Sequence, residues 1–209
     1  MKTPTVSIST MTGKLLNIPA INTNPLDNKF CNKMCKTNAV CKHCYSRAML
    51  NGLRKNCGPS WSQNGKILSE SIIPDDQLPT VNAVWFRFSG HGELMNGTHL
   101  INLCNIAAKN PRTQFVLWTK RSDFIRKYRG YVPENMTLIY SNPRINNVMK
   151  TPPEGFDRVF NVVSKDHYKS NCAGLKCWTC GLCYDPESKI TCIVEKLKAS
   201  KNGVGYEKA

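Results

Sequence analysis

The chain has 209 residues, of which 41% are apolar and 21% charged, a composition typical of a globular protein with a sizeable core. No apolar run reaches the roughly 18 residues of a membrane span, and the N-terminus lacks a signal-peptide stretch, so a membrane protein is excluded and a cytoplasmic protein is expected. The 29 basic and 14 acidic residues give a net charge of +15, which indicates solubility and counter-charge for an anionic cofactor, attraction to nucleic acid or another polyanion, or both.

The first third of the chain is predicted to contain short strands and helices. Residues 5–9 and 14–18 flank a Thr-Gly pair and predict a short hairpin or a pair of strands. A helix is expected after Cys44, because apolar residues recur there at helical spacing, and Gly58-Pro59 is expected to end it. A second helix is expected over residues 60–73.

From residue 81 onward, strands alternate with helices. We expect strands over residues 81–89, 114–119, 136–141 and 157–164, and helices over residues 97–109 and 122–129. Nearly continuous apolar strands separated by helices predict parallel βα units with both faces of the sheet covered. The fold class is therefore α/β, a barrel or an open sheet, with the site at the carboxyl ends of the strands. We expect one domain over residues 1–209, ending in a basic tail over residues 198–209.

Four cysteines in fourteen residues, spaced C-x3-C-x5-C-x2-C, form what we call the N-terminal thiol group. Its members are Cys31, Cys35, Cys41 and Cys44. Eleven cysteines in a reducing compartment favour metal ligation over disulfides. Four thiolates suit zinc or an iron–sulfur cluster. A [4Fe–4S] cluster held by three of them, for which we favour Cys35, Cys41 and Cys44, leaves one iron open to a small molecule.

A second set of cysteines, the C-terminal thiol group, lies in the cysteine-rich segment 172–184. Its members are Cys172, Cys177, Cys180 and Cys183. Two consecutive C-x2-C spacings allow the chain to wrap one cuboidal cluster, and four ligands would close it, which favours a structural or electron-transfer role. Zinc is the main alternative, and both groups contributing to one site is another. Cys57, Cys104 and Cys192 are isolated and are expected to be small buried side chains.

Polar residues at the predicted strand ends are further candidates. Glu93 follows Gly90 and Gly92, and it is expected to bind an amino group or to act as an acid–base, with a plain turn as the alternative. Lys120 is expected to bind a carboxylate or phosphate, or else to be solvated. Ser141 ends the next strand. The histidines are left out of the ligand set because many thiolates are available.

Five segments together carry a family resemblance. They are Cys41–Tyr45, Phe86–Leu94, Phe115–Arg121, Met136–Ser141 and Cys177–Tyr184. In this order they resemble the gene product 88-like family of phage and mobile-element proteins and, more distantly, the radical S-adenosylmethionine (SAM) enzymes. The resemblance implies a partial (β/α) TIM-like barrel of radical-SAM type with cysteine-rich cluster-binding loops, in the host cytoplasm if a phage encodes it.

The resemblance also implies cofactors and roles. A [4Fe–4S] cluster on Cys35, Cys41 and Cys44 would bind SAM, although the spacing departs from the usual C-x3-C-x2-C. Tyr45 would lie next to this cluster, and the loop that contains Gly92 and Glu93 would contact the amino group of SAM. The C-terminal thiol group would hold a second cluster. The alternative is a non-catalytic iron–sulfur or zinc protein that binds nucleic acid or a host partner.

Overall fold

The computed structural model describes residues 5–37, 39–164, 167–172 and 174–197. The predicted basic tail, residues 198–209, lies outside the described residues. Within them, none of the helices combines the length and the apolar character that a membrane span requires.

Six strands form one all-parallel sheet in which spatial order follows chain order. The strands are β1 (Ala20–Ile21), β2 (Trp85–Phe88), β3 (Gln114–Thr119), β4 (Met136–Ser141), β5 (Arg158–Val163) and β6 (Cys192–Lys196). The α/β class is confirmed, and so are the four predicted strands, although β2 is shorter than residues 81–89. The two outermost strands, β1 and β6, were not predicted from the sequence.

Seven α-helices accompany the sheet in the described residues. They are α1 (Lys29–Thr37), α2 (Ala39–Lys42), α3 (Tyr45–Leu50), α4 (Gly58–Glu70), α5 (Gly97–Lys109), α6 (Ser122–Tyr128) and α7 (Cys177–Cys180). The prediction of α5 is confirmed. The expectation that Gly58-Pro59 ends a helix is wrong, because these residues begin α4. Proline fits the first turn of a helix, where its missing N–H would have had no partner.

The predicted hairpin of residues 5–9 and 14–18 is also wrong. Gly13–Leu15 forms a 3-10 turn, and Ser9 pairs with Ala20 instead. The Ser9 N–H donates to the Ala20 carbonyl at 2.7 Å, and the Ala20 N–H donates to the Ser9 carbonyl at 3.0 Å. The first segment therefore adds to the start of β1 and not to its sequence neighbour.

The two faces of the sheet are covered differently. One face packs under the helices in a large core that contains Phe86, Phe88 and Phe115. On the other face, Ile18, which precedes β1, and Ile193 of β6 belong to the same buried cluster. The Lys14–Glu195 ion pair, at 2.7 Å, joins the turn before β1 to β6, so the two edges of the sheet approach each other on this face, which we call the concave face. Among the described residues, no hydrogen-bonded ladder joins β6 to β1.

Candidate functional site at the carboxyl edge of the sheet

Glu93 ties the loop after β2 to the end of β3. Its carboxylate is buried. One oxygen, Oε1, accepts hydrogen bonds from the Leu94 N–H at 2.9 Å and from the Thr119 hydroxyl. The other oxygen, Oε2, accepts from the Lys120 N–H at 2.8 Å. Three protein donors thus hold this carboxylate, so the alternative of a plain turn does not describe it.

Lys120 connects the end of β3 with β4 and with the N-terminal thiol group. Its Nζ donates to the Ser141 hydroxyl at 3.0 Å. Burial acts to lower the pKa of Lys120, but Cys41, Glu93 and Cys31 are close enough that their negative charge, when ionised, outweighs burial and raises it. The predicted residues Glu93, Lys120 and Ser141 therefore meet at one place, and the ammonium faces the thiols.

The helix that follows the N-terminal thiol group is fixed to the loop after β2. Tyr45, the first residue of α3, donates from its hydroxyl to the Gly90 carbonyl at 2.6 Å, and half of its side chain remains exposed. Its ring lies 5.3 Å from the ring of His91. Tyr45 and Gly90, which were predicted together with Glu93, are thus part of the same site.

The loop between Ser89 and Glu93 has an unusual backbone. Ser89 and Gly92 both have positive φ angles, 56° and 86°, and a serine in this region carries strain of the kind that functional loops store. A Cβ added at Gly92 would lie 2.1 Å from Oγ1 and 2.5 Å from the carbonyl oxygen of Thr23. The chain therefore needs glycine at position 92 for both space and backbone conformation.

Replacement of Gly92 with alanine is expected to destabilise the fold and to displace the loop. The clash with the Thr23 backbone and the positive φ together predict a loss of about 2–4 kcal/mol in the free energy of unfolding. Urea denaturation measures this loss. Gly130→Ala is the matched control, because an added Cβ there meets nothing within 4 Å, and equal losses in both variants would contradict the prediction.

Asn28 is a site residue that sequence reasoning missed. Its side-chain Oδ1 accepts from the N–H groups of Phe30 at 2.9 Å and Cys31 at 3.2 Å, and its Nδ2 donates to the Glu93 carbonyl at 2.8 Å. It therefore caps α1 and joins the start of that helix to the loop after β2. Asparagine directly before a helix is a known capping signal, and that signal could have identified it.

The members of the N-terminal thiol group differ in their surroundings. Burial raises the pKa of Cys31, and Glu93 and Cys44 raise it further. Burial also raises the pKa of Cys41, which Lys120 partly offsets. The Cys35 thiol instead donates to the Asn32 carbonyl of its own helix at 3.2 Å. Cys31, Cys41 and Cys44 thus share the surroundings of Glu93 and Lys120, whereas Cys35 lies near Cys41 and bonds to its own helix.

The C-terminal thiol group lies around one small pocket. All four thiols line it, together with Lys14 and Tyr184. The Lys14 Nζ donates to Cys172 Sγ at 2.9 Å and to Glu195 Oε1 at 2.7 Å. Burial raises the pKa of Cys183 to about 12. Lys14 was not predicted from the sequence, and it places a positive charge at the edge of the pocket.

Both thiol groups carry the donor atoms of a metal centre. Among the described residues, no three His, Cys, Asp or Glu side chains are arranged to hold a metal ion. Convergence of four thiols on one pocket, beside a lysine, nevertheless fits the donor set and the negative charge of an iron–sulfur cluster. Burial raises the pKa of Cys177 and Cys183, so a metal would have to displace their protons. Metal ligation by either group stays a prediction.

The two thiol groups lie in different surroundings. The first faces Lys120 and Glu93, whereas the second faces Lys14 and Arg87. Of the isolated cysteines, Cys104 is buried as expected, but Cys57 and Cys192 are partly exposed.

Two buried histidines predict a pH dependence of stability. Burial lowers the pKa of His91 to about 3 and that of His99 to about 4, and the His99 Nδ1 accepts the Met95 N–H at 3.2 Å. Both rings take up protons more readily when the chain is unfolded, so their stabilising contribution is complete above pH 6.5 and falls as the pH falls towards 4. Between pH 7 and pH 5 we expect a loss of about 2 kcal/mol per ring.

Urea denaturation at pH 7 and pH 5 tests this dependence. His91→Gln should remove about half of the difference between the two pH values. The exposed residue His43 provides the control, since His43→Gln should leave the difference unchanged. Equal stability of the unsubstituted protein at both pH values would show that these rings are not buried as neutral groups.

An all-parallel sheet with a polar, thiol-lined site at its carboxyl edge places this chain among α/β proteins with a strand-end site. The family model described as Gene product 88 matches residues 2–193, and the chain belongs to this family. No curated protein and no solved structure matches the chain. The resemblance to the gene product 88 family is confirmed, whereas the more distant resemblance to radical SAM enzymes stays a prediction.

Proposed function

We propose that this is an iron–sulfur protein of radical-SAM-like type, in which Cys31, Cys41 and Cys44 hold a [4Fe–4S] cluster at the carboxyl edge of the sheet. The observation that carries the proposal is the convergence of these thiols with Glu93 and Lys120. A cluster bound there with one open iron would supply one-electron chemistry.

The curvature of the sheet supports a partial (β/α) barrel. The two edges share one buried cluster on the concave face, and the Lys14–Glu195 ion pair links the turn before β1 with β6 at 2.7 Å. Active sites of such barrels lie at the carboxyl ends of the strands, where the proposed cluster site is found. The C-terminal thiol group would hold a second cluster, with Lys14 as a positive neighbour.

The loop after β2 supports SAM as the small molecule. Ionised carboxylates offer about four acceptor positions, and Glu93 uses three of them on the protein's own donors, which leaves one for an amino group. The ammonium of Lys120 lies beside it and suits the carboxylate of the same amino-acid moiety. Tyr45 presents a half-exposed ring at the same loop.

Anaerobic purification followed by metal analysis and an absorption spectrum tests the proposal. We expect bound iron and a broad band near ~400 nm, as thiolate-ligated iron gives, and formation of 5′-deoxyadenosine from SAM under reduction. Zinc without iron would replace the proposal by a structural zinc protein. A reconstituted cluster that leaves SAM uncleaved would reduce it to a non-catalytic iron–sulfur protein.

One observation favours a second candidate, a protein that binds nucleic acid. Lys29, Lys33 and Lys36 are exposed on α1 at spacings that place them on one side of the helix. Residues 1–69 contain ten Lys and Arg but a single acidic residue, Asp27. A helix face of this kind fits the phosphates of a nucleic acid.

Fluorescence anisotropy with labelled DNA and RNA at several salt concentrations tests this candidate. If the three lysines contact phosphates of double-stranded DNA, their replacement with glutamine should reduce the slope of log K against log salt by about 2.7. Lys66→Gln on α4 is the control. Absence of binding at low salt would rule the candidate out.

A further inference from the structure

Arg87 occupies a position on β2 that points away from the helices. Its neighbours Phe86 and Phe88 lie in the core under the helices, and successive side chains of a strand alternate between faces. Arg87 therefore projects onto the concave face, where its guanidinium carbon lies 3.9 Å from the centre of the Trp118 ring. A cation is thus held deep in the sheet against an aromatic face.

The charge of Arg87 has no carboxylate partner within the part of the chain that the structure describes. Its Nε is buried without a hydrogen-bond partner of good geometry, and so is the hydroxyl oxygen of Tyr184, although these two side chains lie close enough to interact with each other. Burial acts to lower the pKa of Arg87, but Tyr184, Tyr45 and Cys177 raise it. A desolvated guanidinium with an unused donor costs stability unless an anion accepts from it.

Part of the Arg87 side chain nevertheless remains accessible, although protein surrounds it. The same holds for Lys120 and Ser141 at the rim. Arg87 is aligned with Val116 on β3, and Lys120 follows four residues later, which at roughly 3.3 Å per residue is about 13 Å along the strand. The concave face therefore carries Lys120 at the rim and Arg87 deeper.

We propose that Arg87, Trp118 and the hydroxyl of Tyr184 bind the carboxylate of a small molecule that enters the concave face from the carboxyl edge. The planar guanidinium donates to a carboxylate through two parallel hydrogen bonds. Its contact with the Trp118 ring fixes its orientation. The proposal names a ligand class for the concave face and rests on the proposed function only for the reaction. Anion binding itself requires no cluster, so the two proposals can fail separately.

Thermal unfolding of the full chain, as isolated under anaerobic conditions at low ionic strength, tests the site. The probes are acetate, succinate and inorganic phosphate. A carboxylate at ten times its Kd should raise the Tm by roughly 3–6 °C. Arg87→Met should abolish this rise. Arg87→Lys keeps the positive charge but not the two parallel N–H donors, so it should weaken carboxylate binding roughly tenfold. Lys66→Met, which removes an exposed cation on α4, should respond like the unsubstituted protein.

The ligand-free variants add a second measurement. Arg87→Met removes an unpaired buried charge, so its Tm without ligand should equal or exceed that of the unsubstituted protein. Iron content measured on the same samples tests whether Arg87 instead compensates the negative charge of the C-terminal thiol group. If Arg87→Met loses iron from the C-terminal thiol group while carboxylates leave the Tm of the unsubstituted protein unchanged, Arg87 compensates the charge of that group and the proposal is overturned. A phosphate response without a carboxylate response would also overturn it.

Discussion

Alanine at Cys41 or Cys44 is expected to abolish iron binding by the N-terminal thiol group. The two residues are separated by one turn, since the Cys44 N–H donates to the Cys41 carbonyl at 3.2 Å, and a metal site of three thiolates cannot lose one without opening a second position. Iron per chain should fall by the content of one cluster, about four atoms, and SAM cleavage should be lost with it. Metal analysis of anaerobically purified variants measures the first effect directly.

The same measurement decides between Cys31 and Cys35. Cys31 lies with Cys41, Cys44 and Glu93, whereas the Cys35 thiol donates to a carbonyl of its own helix. Cys31→Ala should therefore lose iron as Cys41→Ala does, and Cys35→Ala should keep most of it. Cys57→Ala, at a partly exposed cysteine outside both groups, serves as the control. Iron loss in Cys35→Ala but not in Cys31→Ala would instead support Cys35, Cys41 and Cys44, the three ligands that the sequence spacing favours.

Sequence patterns predicted the parallel βα series and the polar residues at the ends of its strands because both depend on local signals. Continuous apolar runs gave β3 and β4, and polar residues at their ends pointed to Lys120 and Ser141. Since carboxyl ends of parallel strands share one edge, those residues had to meet. The meeting itself is observed as the 3.0 Å hydrogen bond between them.

Features that depend on long-range packing could not be predicted from local sequence patterns. β1 is two residues long, too short for any periodicity, and it exists because β2 and Ser9 pair with it. Arg87 lies between two phenylalanines in a strand and carries no motif that marks it as deeply placed. The role of Lys14 depends on contact with Cys172, 158 residues away. In each case the partner, and not the local pattern, determines the outcome.

Glu93→Gln is expected to lower the free energy of unfolding by about 3 kcal/mol and to disorder the junction between β2 and β3. Three donors point at the buried carboxylate, among them the backbone N–H groups of Leu94 and Lys120. A glutamine replaces one acceptor oxygen with an NH₂ group, which would face a donor and leave it unsatisfied. Hydrogen bonds to a charged acceptor contribute roughly 1.5–3 kcal/mol each, and a buried donor left without a partner adds its desolvation cost.

Urea denaturation at neutral pH measures the loss, and Glu70→Gln provides the matched control. Glu70 is exposed and forms an i,i+4 pair with Lys66 at 3.8 Å, which is worth about 0.3–0.5 kcal/mol. If Glu93 stabilises the fold through its three hydrogen bonds, the free energy of unfolding falls even without any metal or SAM present. If Glu93→Gln were as stable as the unsubstituted protein but failed to bind SAM, the carboxylate would act on the ligand alone. Because its three protein partners are fixed by the fold, we expect both stability and binding to fall together.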